Sequence, residues 1–210
     1  MEPIIVVGGG GHAKVLISVI KKLSSFTLLG YTDTTDKGPI LSAEYLGSDE
    51  ILADFYKRGA VRYAALGVGA ISTMNGRRKI INNILSIGYA FPPIISPNAI
   101  VHDSVQIGSG TMVFDGSIIN AGALVGDFSI INTGVILEHD CSVGDYVHIA
   151  PGAIVCGGSA IGNNSMIGAG STVIHSVSIS ADTMIGGGSV VVKNCDSPGL
   201  YFGNPAKFIR

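Results

Sequence analysis

The chain has 210 residues, 47% of them apolar, a net charge of −2, 30 glycines and three cysteines. This apolar content argues for a folded core, while no apolar run approaches the roughly 18 residues of a membrane span and the apolar start lacks the basic flank of a secretory leader. Cys141, Cys156 and Cys195 are odd in number and without a CxxC pair, which argues against a disulfide framework or zinc ribbon and for a reduced, cytoplasmic setting.

Charge is unevenly distributed. Residues 1–94 carry 10 Lys/Arg and 7 Asp/Glu, residues 95–192 carry 7 acids and no Lys or Arg, and residues 193–210 carry 3 bases and 1 acid. So long a stretch without a cation cannot track a phosphate backbone, which argues against nucleic acid as a partner. The same break predicts a domain boundary at residue 94.

In chain order, a β-branched strand (Ile4–Val7) runs into Gly8-Gly9-Gly10-Gly11-His12, then a helix with apolar Ala13, Leu16, Ile17, Ile20 and Leu23, then a strand (Leu28–Tyr31) followed by Thr32-Asp33. Strand, Gly-rich turn, helix and strand with an acid at its end form a βαβ start of the nucleotide-binding type. The turn lacks the full GxGxxG register, so glycines kept only for packing are the alternative; for Asp33 it is a plain turn residue. A helix (Asp49–Lys57), a strand (Val61–Leu66) ending at Gly67 and a helix (Ser72–Ser86) complete a small parallel domain, and Phe91–Pro97 is a stiff junction. No catalytic domain for a dinucleotide oxidoreductase follows, so a mononucleotide sugar is the better ligand.

From Ile95 a strict period of six begins. Seventeen positions from Ile95 to Val191 are all aliphatic, and each of the first sixteen is followed four residues later by Ala, Ser, Thr, Val or Cys. Neither a helix nor a plain strand has this period; short strands joined by tight turns and stacked as a β-helix do. The aliphatic residue points inward, Gly or Asn supplies the positive φ of the corners, and just over five coils span about 25 Å.

Within this solenoid Glu138, His139 and Asp140 stand together. His139 is the third residue of its hexad and should face outward, where an imidazole of pKa about 6.5 beside a carboxylate can serve as a general base. A zinc site would need converging histidines, and His12, His102, His139, His148 and His175 show no such spacing, so no metal is expected. Cys141 fills a small slot against the core and is a poor nucleophile.

The hexad pattern over residues 95–191 resembles the left-handed β-helix acyltransferases. The combination of Gly8–His12 with Asn132, His139-Asp140 and His148 resembles, over essentially the whole chain, the bacterial family of sialic-acid O-acetyltransferases and UDP-4-amino-sugar N-acetyltransferases (PglD-like). The resemblance implies an α/β Rossmann-like nucleotide-sugar domain (residues 1–94), a left-handed parallel β-helix (residues 95–193) and a C-terminal tail (residues 194–210). It further implies acetyl-CoA as co-substrate, a nucleotide-activated amino sugar as acceptor and a homotrimer with active sites between adjacent prisms. Residue by residue, it makes His139 the general base, Asp140 its activator and Asn132 a neighbour of the sugar. His148, Gly157, Ala169 and Gly187 would line the coenzyme groove, and Gly10, Gly11, His12, Asp33 and Gly67 would bind the nucleotide-sugar. Lys193, Lys207 and Arg210 are the candidates for the coenzyme phosphates. O-acetylation of sialic acid or another sugar is the alternative activity; a non-catalytic solenoid would leave the Glu138–His139–Asp140 cluster without purpose.

Overall fold

Ile4, Ile5, Val6 and Val7 are all fully buried, as a central strand covered on both faces requires. In the computed structural model, which describes residues 1–69 and 75–210, they belong to β1 (Glu2–Val7), followed by α1 (Gly11–Ile20), β2 (Phe26–Thr32), β3 (Tyr45–Gly47), α2 (Ile51–Lys57), β4 (Tyr63–Leu66) and α3 (Asn75–Ile87). The strands form one parallel sheet in the order β3-β2-β1-β4. Contacts divide the chain into two units, Met1–Ser96 and Pro97–Arg210.

Several boundaries differ from the sequence reading. The stretch expected to begin α2 at Asp49 instead forms a turn, with the Ile51 and Leu52 N–H groups bonding back to the carbonyls of Ser48 and Asp49. The fourth strand starts at Tyr63 rather than Val61, and Ser72–Met74 of the expected third helix lie outside the described residues. β3 was not expected: its three residues are too few to show periodicity. It depends on Gly30 (φ 153°), where a Cβ would stand 2.5 Å from the Glu44 carbonyl oxygen.

The second unit is a parallel β-helix. Its strands are nearly all two residues long and pair in parallel with strands 18 residues away, as Ile118–Ile119 with Ile136–Leu137 and these with Ile154–Val155. Of each pair the second residue points inward, and Ile119, Leu137, Val155 and Val173 are fully buried. Three successive strands fall on three different sheets, so one coil spans three hexads.

The corners repeat as strictly as the core. Positive φ occurs at every sixth residue from Gly110 to Gly188. Glycine fills eight of these corners, while Phe128, Asp140, Tyr146, Asn164, Ser176 and Asp182 fill the others. The expectation of Gly or Asn alone is therefore corrected. A side chain in the left-handed region costs roughly 1–2 kcal/mol, and contacts between stacked corners offset it: the Phe128 and Tyr146 rings stack at 5.4 Å and 17°, and Asn164 Nδ2 donates to Asp182 Oδ1.

Part of the solenoid's acidic content is structural. Asp127 Oδ1 accepts the Ser109 N–H (2.7 Å), Asp145 Oδ1 the Asp127 N–H (2.8 Å), and Asn163 Oδ1 the Asp145 N–H (2.9 Å), forming a ladder up one edge. The preceding glycines make room for it, since a Cβ on Gly144 would collide with Asn163 Oδ1 and stand 2.9 Å from its backbone nitrogen. Gly144→Ala is expected to destabilise the solenoid by about 2 kcal/mol, read as a lower thermal unfolding midpoint; an unchanged midpoint would contradict the ladder's role.

Candidate active site

In the N-terminal unit, the ends of β1, β2 and β4 converge. The Gly8 N–H donates to the Thr32 carbonyl and the Gly67 N–H to the Val7 carbonyl, both at 2.7 Å, and the Gly9 N–H donates to Asp33 Oδ2 at 2.7 Å. Gly8, Gly9 and Gly67 are sterically required: a Cβ would meet Val68 Cγ2 at 2.7 Å, the Tyr31 ring at 2.6 Å and the Gly8 carbonyl oxygen at 2.5 Å respectively. Around Gly10 and Gly11 the space is open. These two lie at the start of α1, where backbone N–H groups and the helix dipole favour an anion. His12 follows in the first turn, its ring beside Gly69.

Asp33 is more committed than the sequence suggested. Burial pushes its carboxyl up, but the Gly9 N–H, the Thr35 N–H and the Thr34 hydroxyl together outweigh burial and hold it below the usual carboxylate range. It thus fixes the glycine turn as well as facing a cavity of about 160 Å³ lined by Val7, Gly8, Asp33, Thr34, Asp49, Val68 and Ile80. Asp49, whose Oδ1 accepts the Thr32 hydroxyl at 2.6 Å, was missed by the sequence reading. It belongs to no motif and reaches the cavity only through the loop after β3.

In the solenoid, His139 and Asp140 occupy the edge between the strands Ile136–Leu137 and Ser142–Val143. His139 Nδ1 lies 2.8 Å from Asp140 Oδ2, and both side chains are about two-thirds exposed, at 67% and 72%. An ionised carboxylate only accepts, so Nδ1 carries the proton and Nε2 the lone pair. The hydrogen bond to Asp140, followed by the negative charges of Asp140 and Glu138, raises the imidazole pKa above its ordinary value. Glycines above and below make room for the pair: a Cβ on Gly157 would stand 2.6 Å from His139 Nε2, and one on Gly122 2.5 Å from Asp140 Oδ1. Gly122 was not singled out from the sequence, although it precedes Asp140 by one coil of 18 residues.

Asn132 and His148 meet elsewhere. Asn132 Oδ1 accepts the Thr133 N–H (2.8 Å), which orients its amide so that Nδ2 faces His148 Nε2 at 3.1 Å. Nδ2 can only donate, so Nε2 of the buried His148 is the acceptor. Asn132 follows Ile130–Ile131, on the edge before the one that carries His139. Ala169 and Gly187 share the Asn132 edge, one coil apart, whereas Gly157 shares that of His139. The expected coenzyme groove is therefore divided between two edges of one prism.

Residues 3–84 match the PglD N-terminal domain family. Among solved structures, the chain is 32% identical to a mutant of perosamine N-acetyltransferase from Caulobacter crescentus, in which a histidine is replaced by asparagine, in complex with CoA and GDP-perosamine; the match covers 100% of this chain and 98% of that one at a TM-score of 0.92. The chain belongs to the PglD-like family of acetyl-CoA-dependent sugar acetyltransferases. It is also 28% identical to the acetyltransferase domain of PglB from Neisseria gonorrhoeae FA1090 in complex with acetyl coenzyme A, over 99% of each chain at a TM-score of 0.91. No curated protein matches it. The family's solenoid is a left-handed β-helix, and the parallel coils of Pro97–Arg210 are of that kind.

Within this family fold, Cys141 is fully buried, its thiol directed at the carbonyls of Val155 and Cys156, and burial raises its pKa. Among the described residues no group of three His, Cys, Asp or Glu could hold a metal, and no helix is long and apolar enough to cross a membrane.

The geometry predicts a titration midpoint for the His139 ring, followed by NMR, above the ordinary histidine value of about 6.5. Asp140→Asn should lower it. A midpoint insensitive to that substitution would show that the two side chains do not pair in solution.

Proposed function

We propose that this protein transfers the acetyl group of acetyl-CoA to the amine of a nucleotide-linked amino sugar of the 4-amino-4,6-dideoxy type, with His139 as general base. The observation that carries the reading is the His139–Asp140 pair, whose side chains are largely exposed and which leaves the lone pair on Nε2, over Gly157 of the next coil. The acceptor amine, losing a proton to Nε2, attacks the thioester carbonyl. The carbon–sulfur bond then breaks and the coenzyme leaves as thiolate, taking up a proton. A backbone N–H at the corner would stabilise the oxyanion, and no acyl-enzyme is needed. Asp140 keeps the ring in the Nδ1–H tautomer and raises its basicity. GDP-perosamine bound to the Caulobacter relative is a nucleotide-linked amino sugar, which supports the acceptor class. On this reading Gly10, Gly11 and His12 hold the phosphates and Asp33 and Gly67 shape the wall of the nucleotide pocket.

The division of the solenoid residues between two edges supports a homotrimer, with His139 and Gly157 of one copy facing Asn132, His148, Ala169 and Gly187 of the next. The sheet between these edges turns Ile100, Ile118, Ile136 and Ile154 outward, and Ile100 is 58% exposed. Such an apolar row suits packing against another copy.

The test is thiol release from acetyl-CoA with GDP-perosamine, a UDP-4-amino-4,6-dideoxy sugar and free sialic acid in turn. Turnover is expected with a nucleotide amino sugar and should fall by roughly 10²–10⁴ in His139→Ala. Turnover with sialic acid alone would instead establish O-acetylation, and wild-type rates in the variant would remove His139 as the base. In the pH profile, kcat/KM should fall on the acid side as the raised His139 pKa is crossed, and Asp140→Asn should move that limb to lower pH. Ile136→Asp should yield monomers in sedimentation analysis; an unchanged mass would place any interface elsewhere.

A further inference from the structure

Of the seven acids between residues 95 and 192, five are engaged within the solenoid. Asp127 and Asp145 belong to the amide ladder, Asp115 Oδ2 accepts from Asn98 Nδ2 (3.3 Å), Asp182 Oδ1 accepts from Asn164 Nδ2, and Asp140 holds His139. The other two, Asp103 and Glu138, have carboxylates that take no hydrogen bond among the described residues. Asp103 lies two coils away from His139, whereas Glu138 directly precedes it, and the imidazole feels its charge. Glu138 continues the strand Ile136–Leu137. Its N–H donates to the Val155 carbonyl at 2.9 Å, Leu137 is fully buried, and strand alternation turns Glu138 outward, where it is partly exposed. One coil below and above it stand Asn120 and Cys156, whose N–H groups bond the Leu137 and Val173 carbonyls, each at 2.9 Å. Neither neighbour is a cation.

We propose that Glu138 binds the acceptor amine as its ammonium ion beside His139, and thereby selects amino sugars over sugars that offer a hydroxyl. The proposal rests on the acetyl-transfer reading above. A primary amine among electron-withdrawing oxygens resembles an α-amino group, of pKa about 8, and is mostly protonated at neutral pH. Its three donors suit two acceptors at once, the lone pair of His139 and the Glu138 carboxylate; a hydroxyl brings one donor and no charge. Asp140 is already engaged at Nδ1 and leaves this part to Glu138. The charge counts for more here than on open surface. The outward apolar row Ile118, Ile136 and Ile154 borders Glu138 and lowers the local dielectric, and residues 95–192 supply no Lys or Arg to neutralise it. The nitrogen sheds two protons in all. The ammonium gives the first to His139 and becomes the nucleophile, and the second leaves as the carbon–nitrogen bond forms; the departing thiolate takes up one and the solvent the other.

The experiment is calorimetric titration of the full chain with the amino sugar it acetylates, GDP-perosamine or the UDP-4-amino-4,6-dideoxy sugar, and with the same nucleotide sugar carrying a hydroxyl in place of the amine. The wild type should bind the amine about tenfold more tightly near pH 7, and this preference should shrink by about pH 9 as the ammonium loses its proton. Glu138→Gln keeps the size of the side chain and removes its charge. It should bind both sugars about equally, with the hydroxyl sugar within about twofold of its wild-type affinity. Glu138→Asp should retain part of the preference, and His139→Ala should retain it as well. Equal wild-type affinities, a preference that survives Glu138→Gln, or a parallel weakening of both sugars in that variant would each overturn the proposal. Acetylation of the amino sugar alongside any of these results would sink the Glu138 assignment alone, whereas failure of the wild type to acetylate either amino sugar would sink the acetyl-transfer reading and this proposal with it.

Discussion

Everything in the solenoid depends on one backbone constraint: a residue in the left-handed region at every sixth position, closing a corner after each short strand. With three corners to a coil, residues 18 apart stand over one another. Sequence separation then becomes position, and a side chain's remainder on division by 18 says which edge it occupies. The constraint is strong enough that Phe128, Tyr146 and Asp140 adopt a conformation that suits glycine better, each held there by contacts within or between coils.

The same backbone puts carboxylates to opposite uses. On one edge Asp127 and Asp145 turn along the prism and accept amide hydrogens from the coil below, which serves stability. On another, Asp140 sits at a corner with positive φ, and its side chain turns sideways to its neighbour His139. That contact keeps the proton on Nδ1 and raises the basicity of the imidazole. Replacing Gly157 or Gly122 by any larger residue would displace the pair while leaving both of its members unsubstituted, because the room for it is supplied by the coils above and below.

The solenoid was legible because its aliphatic positions recur without a slip, and His139 was legible as outward-facing from its place in the hexad. The position of Cys141 in the core followed from the same frame. What the hexad alone does not display is the three-fold step: Asn132 and His139 are seven residues apart and read as neighbours, yet lie on successive edges, whereas Gly122, Asp140 and Gly158 share one. Counting by eighteen instead of six would have separated them. In the N-terminal unit, strand, turn and helix were plain, and Gly8–Gly11 were grouped as one feature. The structure divides them into glycines demanded by contacts (Gly8, Gly9) and glycines facing open space (Gly10, Gly11). Asp49 and β3 escaped because a three-residue strand and a loop carboxylate have no periodic signal; both are positioned by packing against β2.

If the proposed homotrimer brings the His139 edge of one copy against the Asn132–His148 edge of the next, a complete site takes two copies of the chain, and complementation tests this. His139→Ala and an Asn132→Ala/His148→Ala double variant would each be inactive alone, and unfolding and refolding an equal mixture would form mixed trimers. Recovery of about a quarter of wild-type kcat/KM, the share of interfaces that pair one intact edge with the other, is the result the account predicts. No recovery, with mixed trimers present, would mean that one chain must supply all three residues to the same site, and would contradict it.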